Sequence, residues 1–129
     1  MGARAPRVLV VDDAPMNREL LCLQLRNAGV LALAAADGAE ALAAAIGAEV
    51  DLVFMDCMMP VMDGREACMR LRAHEAAAGR ARVPVIGLSA GAADDERARC
   101  LAAGMDAYYV KPLTAAAVRG VLADWLGWT

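Results

Sequence analysis

Four short apolar runs in this chain each end on a polar residue of a different kind. V-L-V-V leads into Asp12-Asp13, L-V-F-M into Asp56, V-I-G-L into Ser89, and A-Y-Y-V into Lys111. If one edge of a fold gathers them, three carboxylates stand close together. At an effective dielectric near 20 each such pair repels by roughly a few kcal/mol. That crowding persists only with compensation. A hard divalent cation, Mg²⁺ (or Mn²⁺), suits an all-oxygen site, and Lys111 supplies a positive charge from the opposite side. Of thirteen basic residues, twelve are Arg and only Lys111 is Lys, so this one position keeps an ammonium in a chain that otherwise uses guanidinium. A carboxylate is a competent covalent nucleophile. A cation, an ammonium and a hydroxyl around it suit phosphoryl transfer, where positioning and charge neutralisation do most of the catalysis.

The elements that position these residues follow from apolar patterning. Strands are predicted at 7–12, 30–36, 51–56, 83–88 and 107–110. Helices are predicted at 15–28, 39–46, 65–78, from the 94–96 acids to Gly104, and from a Thr114 cap to 126. Pro15 opens the first helix and Gly29 stops it. Met16, Leu20 and Leu23 form an i, i+4, i+7 stripe on it, with Leu25 nearby. Asp37-Gly38 reads as a turn and 60–64 as a loop. Asp94, Asp95 and Glu96 suit the positive end of a helix dipole. Apolar strands alternating with helices give an α/β domain, a doubly wound five-stranded parallel sheet covered on both faces. Chemistry in such sheets gathers beyond the carboxyl ends of the strands, which is where the four polar termini fall. The 129 residues suit one domain spanning 1–129.

V-V-D-D at 10–13, M-D-C-M-M-P-V-M-D-G at 55–64, L-S-A at 88–90 and G-M-D-A-Y-Y-V-K-P-L at 104–113 resemble the receiver domains of response regulators in two-component signalling. The resemblance covers nearly the whole chain in order, and its spelling is similar to receivers of hybrid histidine kinases. It implies a (βα)5 flavodoxin/CheY-like fold with strand order 2-1-3-4-5. Asp56 then matches the phosphoacceptor, Asp13 a direct Mg²⁺ ligand, Asp12 an acid reaching the metal through water, and Met58 a backbone-carbonyl ligand. Ser89 matches the switch hydroxyl, Lys111 the phosphoryl-pairing lysine, and Tyr108 the aromatic that turns inward on activation. The Lys111-Pro112 bond is implied to be cis. Implied partners are a histidine kinase or histidine phosphotransfer domain upstream. Downstream, a protein is expected to read the face made by the fourth helix, fifth strand and fifth helix. Such a domain is a signalling phosphoacceptor that catalyses only its own phosphorylation and dephosphorylation. Arg65 departs from the apolar or aromatic residue usual after D-G. Met58 and Gly91 hold positions that tune phosphoryl lifetime.

Plainer roles exist for several of these residues. Asp12-Asp13 could be a helix N-cap pair, Ser89 a turn hydroxyl and Tyr108 a static surface aromatic. Tyr109 reads as structural, His74 as a solvated surface residue, and Trp125 and Trp128 as packing for the last helix. Cys22, Cys57, Cys68 and Cys100 lack metal-ligand spacing and read as reduced, buried small hydrophobes.

Two other chemistries fit less of the chain. A haloacid-dehalogenase-type phosphohydrolase needs a second acid two residues after the first, and Asp12-Asp13-Ala14 lacks it. A flavodoxin-like flavin binder needs a hydroxyl-rich phosphate loop after the first strand. A net charge of −3 gives no basic face for nucleic acid or an anionic membrane. With neither a membrane-length apolar run nor a signal-peptide core, the expected location is the cytoplasm. No output segment is expected beyond the last helix.

Overall fold

The computed structural model describes residues 5–57, 59, 62–89, 91 and 94–128. Strand and helix alternate five times: β1 (Arg7–Val11), α1 (Pro15–Asn27), β2 (Leu31–Ala35), α2 (Gly38–Gly47), β3 (Leu52–Asp56), α3 (Gly64–Ala78), β4 (Val85–Ser89), α4 (Asp94–Ala102), β5 (Ala107–Val110) and α5 (Ala115–Leu126). The strands form one parallel sheet in the order β2-β1-β3-β4-β5, as the resemblance implied.

Period-two alternation divides the core. Leu9, Val11, Val53, Met55 and Val85 face α2, α3 and α4 through Ala41, Ala45, Ala67, Cys68, Leu71 and Cys100. Val8, Val10, Leu52, Phe54, Ile86 and Leu88 face α1 and α5 through Leu21, Cys22, Leu25, Val118, Val121 and Leu122. The three central strands β1, β3 and β4 are buried almost throughout, which is why their sequences are nearly continuous apolar runs.

Local chemistry corrects several expected boundaries. The Asp37-Gly38 pair is a helix start and not a free turn: the Asp37 carboxylate accepts from the Glu40 N–H at 2.8 Å. Asp63 caps α3 in the same way, accepting from the Glu66 N–H at 3.0 Å. Thr114 caps α5 as predicted. β4 begins at 85 and not 83, because Val83 donates its N–H to Glu75 and Pro84 has none to donate.

The stripe read on α1 is corrected too. Leu21, Cys22 and Leu25 are buried, while Met16, Leu20 and Leu23 are exposed, Met16 at 83%. At about 100° per residue the two sets lie on opposite sides of the helix. Both sides are apolar, so periodicity alone could not choose between them. Trp125 is likewise partly exposed, whereas Trp128 packs inward and donates its indole N–H to the Ala28 carbonyl at 2.8 Å. His74 is half-buried and not fully solvated.

Candidate functional site

The carboxyl edge of the sheet carries the polar termini. Asp12 and Asp13 follow β1, Asp56 and Ser89 are the last residues of β3 and β4, and Lys111 follows β5. Asp12, Asp56 and Ser89 are buried and Asp13 is exposed. One carboxylate oxygen each from Asp12, Asp13 and Asp56 lies within 4.8 Å of the others.

Lys111 reaches into this cluster. Its ammonium donates to Asp56 Oδ2 at 3.2 Å and to Asp12 Oδ2 at 3.3 Å. Burial pulls the Lys111 pKa down, but Asp56 and Asp12 together outweigh it and hold the amine above its ordinary value. The Lys111-Pro112 peptide that presents this side chain is cis.

Asp12 is fixed from two further directions. Its Oδ1 accepts from the Ala14 N–H at 2.9 Å, and its carbonyl accepts from Arg18 at 2.9 Å. The N-cap of α1 is Ala14, so neither acid of the pair serves as that cap. Three acids against one amine leave an excess of negative charge at one point. The donor set is oxygen only, which fits a small hard dication.

Ser89 at the end of β4 and Tyr108 inside β5 meet at a single carbonyl. Ser89 Oγ donates to the Gly91 carbonyl at 2.8 Å and accepts from the Gly91 N–H at 3.1 Å. Tyr108 donates its phenol O–H to the same carbonyl at 3.0 Å. Tyr108 lies against the α2–α4 side of the sheet and Tyr109 against the α1–α5 side.

Two features of this region were not read from the sequence. The Gly91 acceptor shared by Ser89 and Tyr108 carries no side-chain signal. Gly64 sits so close to β3 that a Cβ there would collide with the Asp56 carbonyl oxygen. The D-G dipeptide at 63–64 was the available signal, since it marks a cap followed by a close backbone approach. Arg65 turns back onto the cap of α3, 3.3 Å from Asp63. Met58, named above as a backbone ligand, lies outside the described residues.

Comparison with known proteins agrees with this architecture. Residues 8–123 match the family model described as the response regulator receiver domain. The sensor protein GacS of Pseudomonas syringae pv. syringae is 39% identical over 127 residues, which is 98% of this chain and 14% of that protein. The chain therefore spans about a seventh of that relative's length. The receiver domain of the sensor histidine kinase PA1611 from Pseudomonas aeruginosa PAO1, with a magnesium ion coordinated in its active-site cleft, superposes with a TM-score of 0.86. It is 36% identical, over 96% of this chain and 99% of that one. The Saccharomyces cerevisiae co-crystal of the histidine phosphotransfer protein Ypd1 with the receiver domain of Ssk1 gives a TM-score of 0.89 at 26% identity, covering 97% of this chain and 91% of that one. With its strand order, its acidic cluster and a family match over most of its length, this chain belongs to the response regulator receiver domain family, the phosphoacceptor modules of two-component signalling.

Proposed function

We propose that Asp56 is the phosphoacceptor of this receiver, taking its phosphoryl group from a phosphohistidine. The observation that carries the reading is the buried Asp56 carboxylate in contact with Lys111 inside a cluster of three acids. An Asp56 oxygen attacks phosphorus in line, the phosphorus–nitrogen bond breaks, and the imidazole leaves. Lys111 then pairs with an equatorial phosphoryl oxygen, keeping the charge balance it provides for the carboxylates. Asp12, Asp13 and Asp56 would hold Mg²⁺, with the Met58 carbonyl in the same ligand set. When bound, that ion offsets the negative charge gathered at the acceptor. In this reading the domain catalyses its own phosphorylation and dephosphorylation and has no other substrate.

The Gly91 carbonyl supports a coupled switch. Ser89 and Tyr108 both donate to it, so a Ser89 hydroxyl drawn to the phosphoryl group, pulling the Gly91 backbone with it, breaks the contact that Tyr108 shares. Tyr108 then turns inward, and the face of α4, β5 and α5 changes by population shift. Leu101, Val110 and Trp125 are exposed apolar residues on those elements, which suits a downstream protein partner. On the donor side, a histidine kinase or phosphotransfer domain would approach over α1. Its exposed Leu20 lines the same cavity as Asp12 and Lys111. No helix among the described residues is long and apolar enough to cross a membrane, and the domain is proposed to work in the cytoplasm.

Incubation with acetyl phosphate and Mg²⁺, followed by intact-mass and peptide analysis, tests the central claim. One acid-stable, base-labile phosphoryl group is expected on Asp56, and none on the Asp56→Asn variant. Undiminished labelling of that variant refutes the assignment.

A further inference from the structure

Helix α4 is tied to the sheet by very little. Among its described side chains Cys100 alone is fully buried; Glu96 is half-buried and the rest are exposed. Glu96 lies one turn before Cys100, and its Oε1 is buried with no hydrogen-bond partner among the described residues. An unpartnered buried oxygen opposes burial instead of favouring it. A helix seated on one small side chain belongs to the low-stability end of a fold, where local opening is cheap.

That single anchor rests on a second thiol. Cys100 Sγ lies 2.8 Å from Cys57 Sγ, and both residues are wholly inaccessible. Cys57 directly follows Asp56 and is held in place by its own N–H, which donates to the Leu88 carbonyl at 2.9 Å. Met105 Sδ stands 4.0 Å from Cys57 Sγ. Gly87 makes room for this group in β4: a Cβ there would come within 2.7 Å of Met105 Sδ and 3.3 Å of Cys57 Sγ. A disulfide bond is about 2.05 Å long, so less than roughly one ångström separates the contact from a bond.

We infer that Cys57 and Cys100 are an oxidative modification site, at which a peroxide closes a disulfide that fastens α4 to the carboxyl end of β3. In the first step one thiol sulfur attacks the O–O bond of hydrogen peroxide, giving a sulfenic acid and one water. In the second, the other sulfur attacks the sulfenic sulfur, and its proton leaves with the displaced hydroxide as a second water. Two thiols and one peroxide become one disulfide and two waters; the sulfurs lose two electrons and the peroxide gains them. Both thiols are sealed in the core, so peroxide reaches them when α4 lifts. The site is distinct from the phosphoryl chemistry proposed for Asp56, and its test reads sulfur alone.

The reduced chain is treated with graded hydrogen peroxide, quenched with catalase, alkylated in denaturant and weighed. Loss of two hydrogens, two blocked cysteines, and a Cys57–Cys100 link reversed by dithiothreitol are expected. Closure should raise the melting temperature by about 10 °C, since it constrains a long loop of the unfolded chain. The double variant Cys22→Ala, Cys68→Ala should form the same link, and Cys57→Ala and Cys100→Ala should form none. Retention of four alkylatable thiols overturns the inference. So does a link between other cysteines, or sulfinic acids at 57 and 100 without a link.

Discussion

The two ends of the sheet both hold buried or half-buried charge, and they balance it in opposite ways. At the amino end, Arg72 donates to Glu75 at 2.9 Å, Asp106 at 2.8 Å, the Val83 carbonyl at 2.7 Å and the Gly104 carbonyl at 3.0 Å. Arg82 adds bonds to Asp106 and to the Gly104 carbonyl. The acids are occupied from the other side too: Val83 donates to Glu75 and Val85 to Asp106. Two guanidinium groups meet two carboxylates in a network whose described polar atoms are well used. At the carboxyl end three carboxylates meet one ammonium. The first arrangement joins α3, β4 and the entry to β5. The second gathers oxygen donors whose charge suits a hard dication as well as the ammonium, whereas the first matches its carboxylates with guanidinium groups alone.

Removing charge at the amino end should therefore cost most. Arg72→Leu leaves the buried Glu75 and the half-buried Asp106 with fewer partners, and a loss of about 3–5 kcal/mol is expected. Urea denaturation of the two proteins measures it. Phosphoryl uptake per folded molecule should not change, because no part of the network reaches Asp56. A loss under about 1 kcal/mol would mean that the network is as replaceable as an exposed ion pair.

Neutralising an acid should have opposite signs at the two ends. In EDTA, Asp106→Asn is expected to lower stability by about 2 kcal/mol, since charge-assisted bonds from two arginines are lost. Asp56→Asn is expected to raise it by about 1 kcal/mol, because it removes one of three mutually repelling carboxylates. Mg²⁺ at ten times its dissociation constant should stabilise the parent chain by about 1.4 kcal/mol and the Asp56→Asn variant by clearly less. If both amides destabilise equally in EDTA, the carboxyl end carries no electrostatic deficit and the contrast fails.

The carboxyl end was far more legible in the sequence than the amino end. Asp12, Asp13, Asp56, Ser89 and Lys111 each close an apolar run, and strand topology alone sends such termini to one edge. The network of Arg72, Glu75, Arg82 and Asp106 could not be read this way. Its members come from a helix interior and two loops, and arginine is so common in this chain that no one of them stands out. The buried face of α1 failed for a related reason: Leu21 and Leu25 compete with Met16, Leu20 and Leu23, and only the crossover onto the sheet decides between them. The Cys57–Cys100 contact joins residues 43 apart in sequence, and two scattered cysteines announce nothing until α4 is laid over β3. Backbone acceptors such as the Gly91 carbonyl have no residue code at all.

The smallest effect expected is the most discriminating, because it separates the two kinds of cation by pH. Lys111 is subject first to burial, which favours the neutral amine, and then to Asp56 and Asp12, which together prevail and raise its pKa. A group whose folded pKa is raised contributes fully below its unfolded value, about 10.4 for lysine, and loses that contribution as pH climbs through the folded value. In EDTA the stability lost in Lys111→Met, about 1 kcal/mol for a partly buried pair, should stay level from pH 7 to about pH 10 and shrink above it. The loss in Arg72→Leu should stay level throughout, since guanidinium keeps its proton across that range. Urea midpoints at constant ionic strength follow both. A Lys111→Met difference that fades between pH 7 and 9 would mean that burial outweighs the two acids, that the amine is already discharging near neutrality, and that Asp12 and Asp56 lose the ammonium that meets them both.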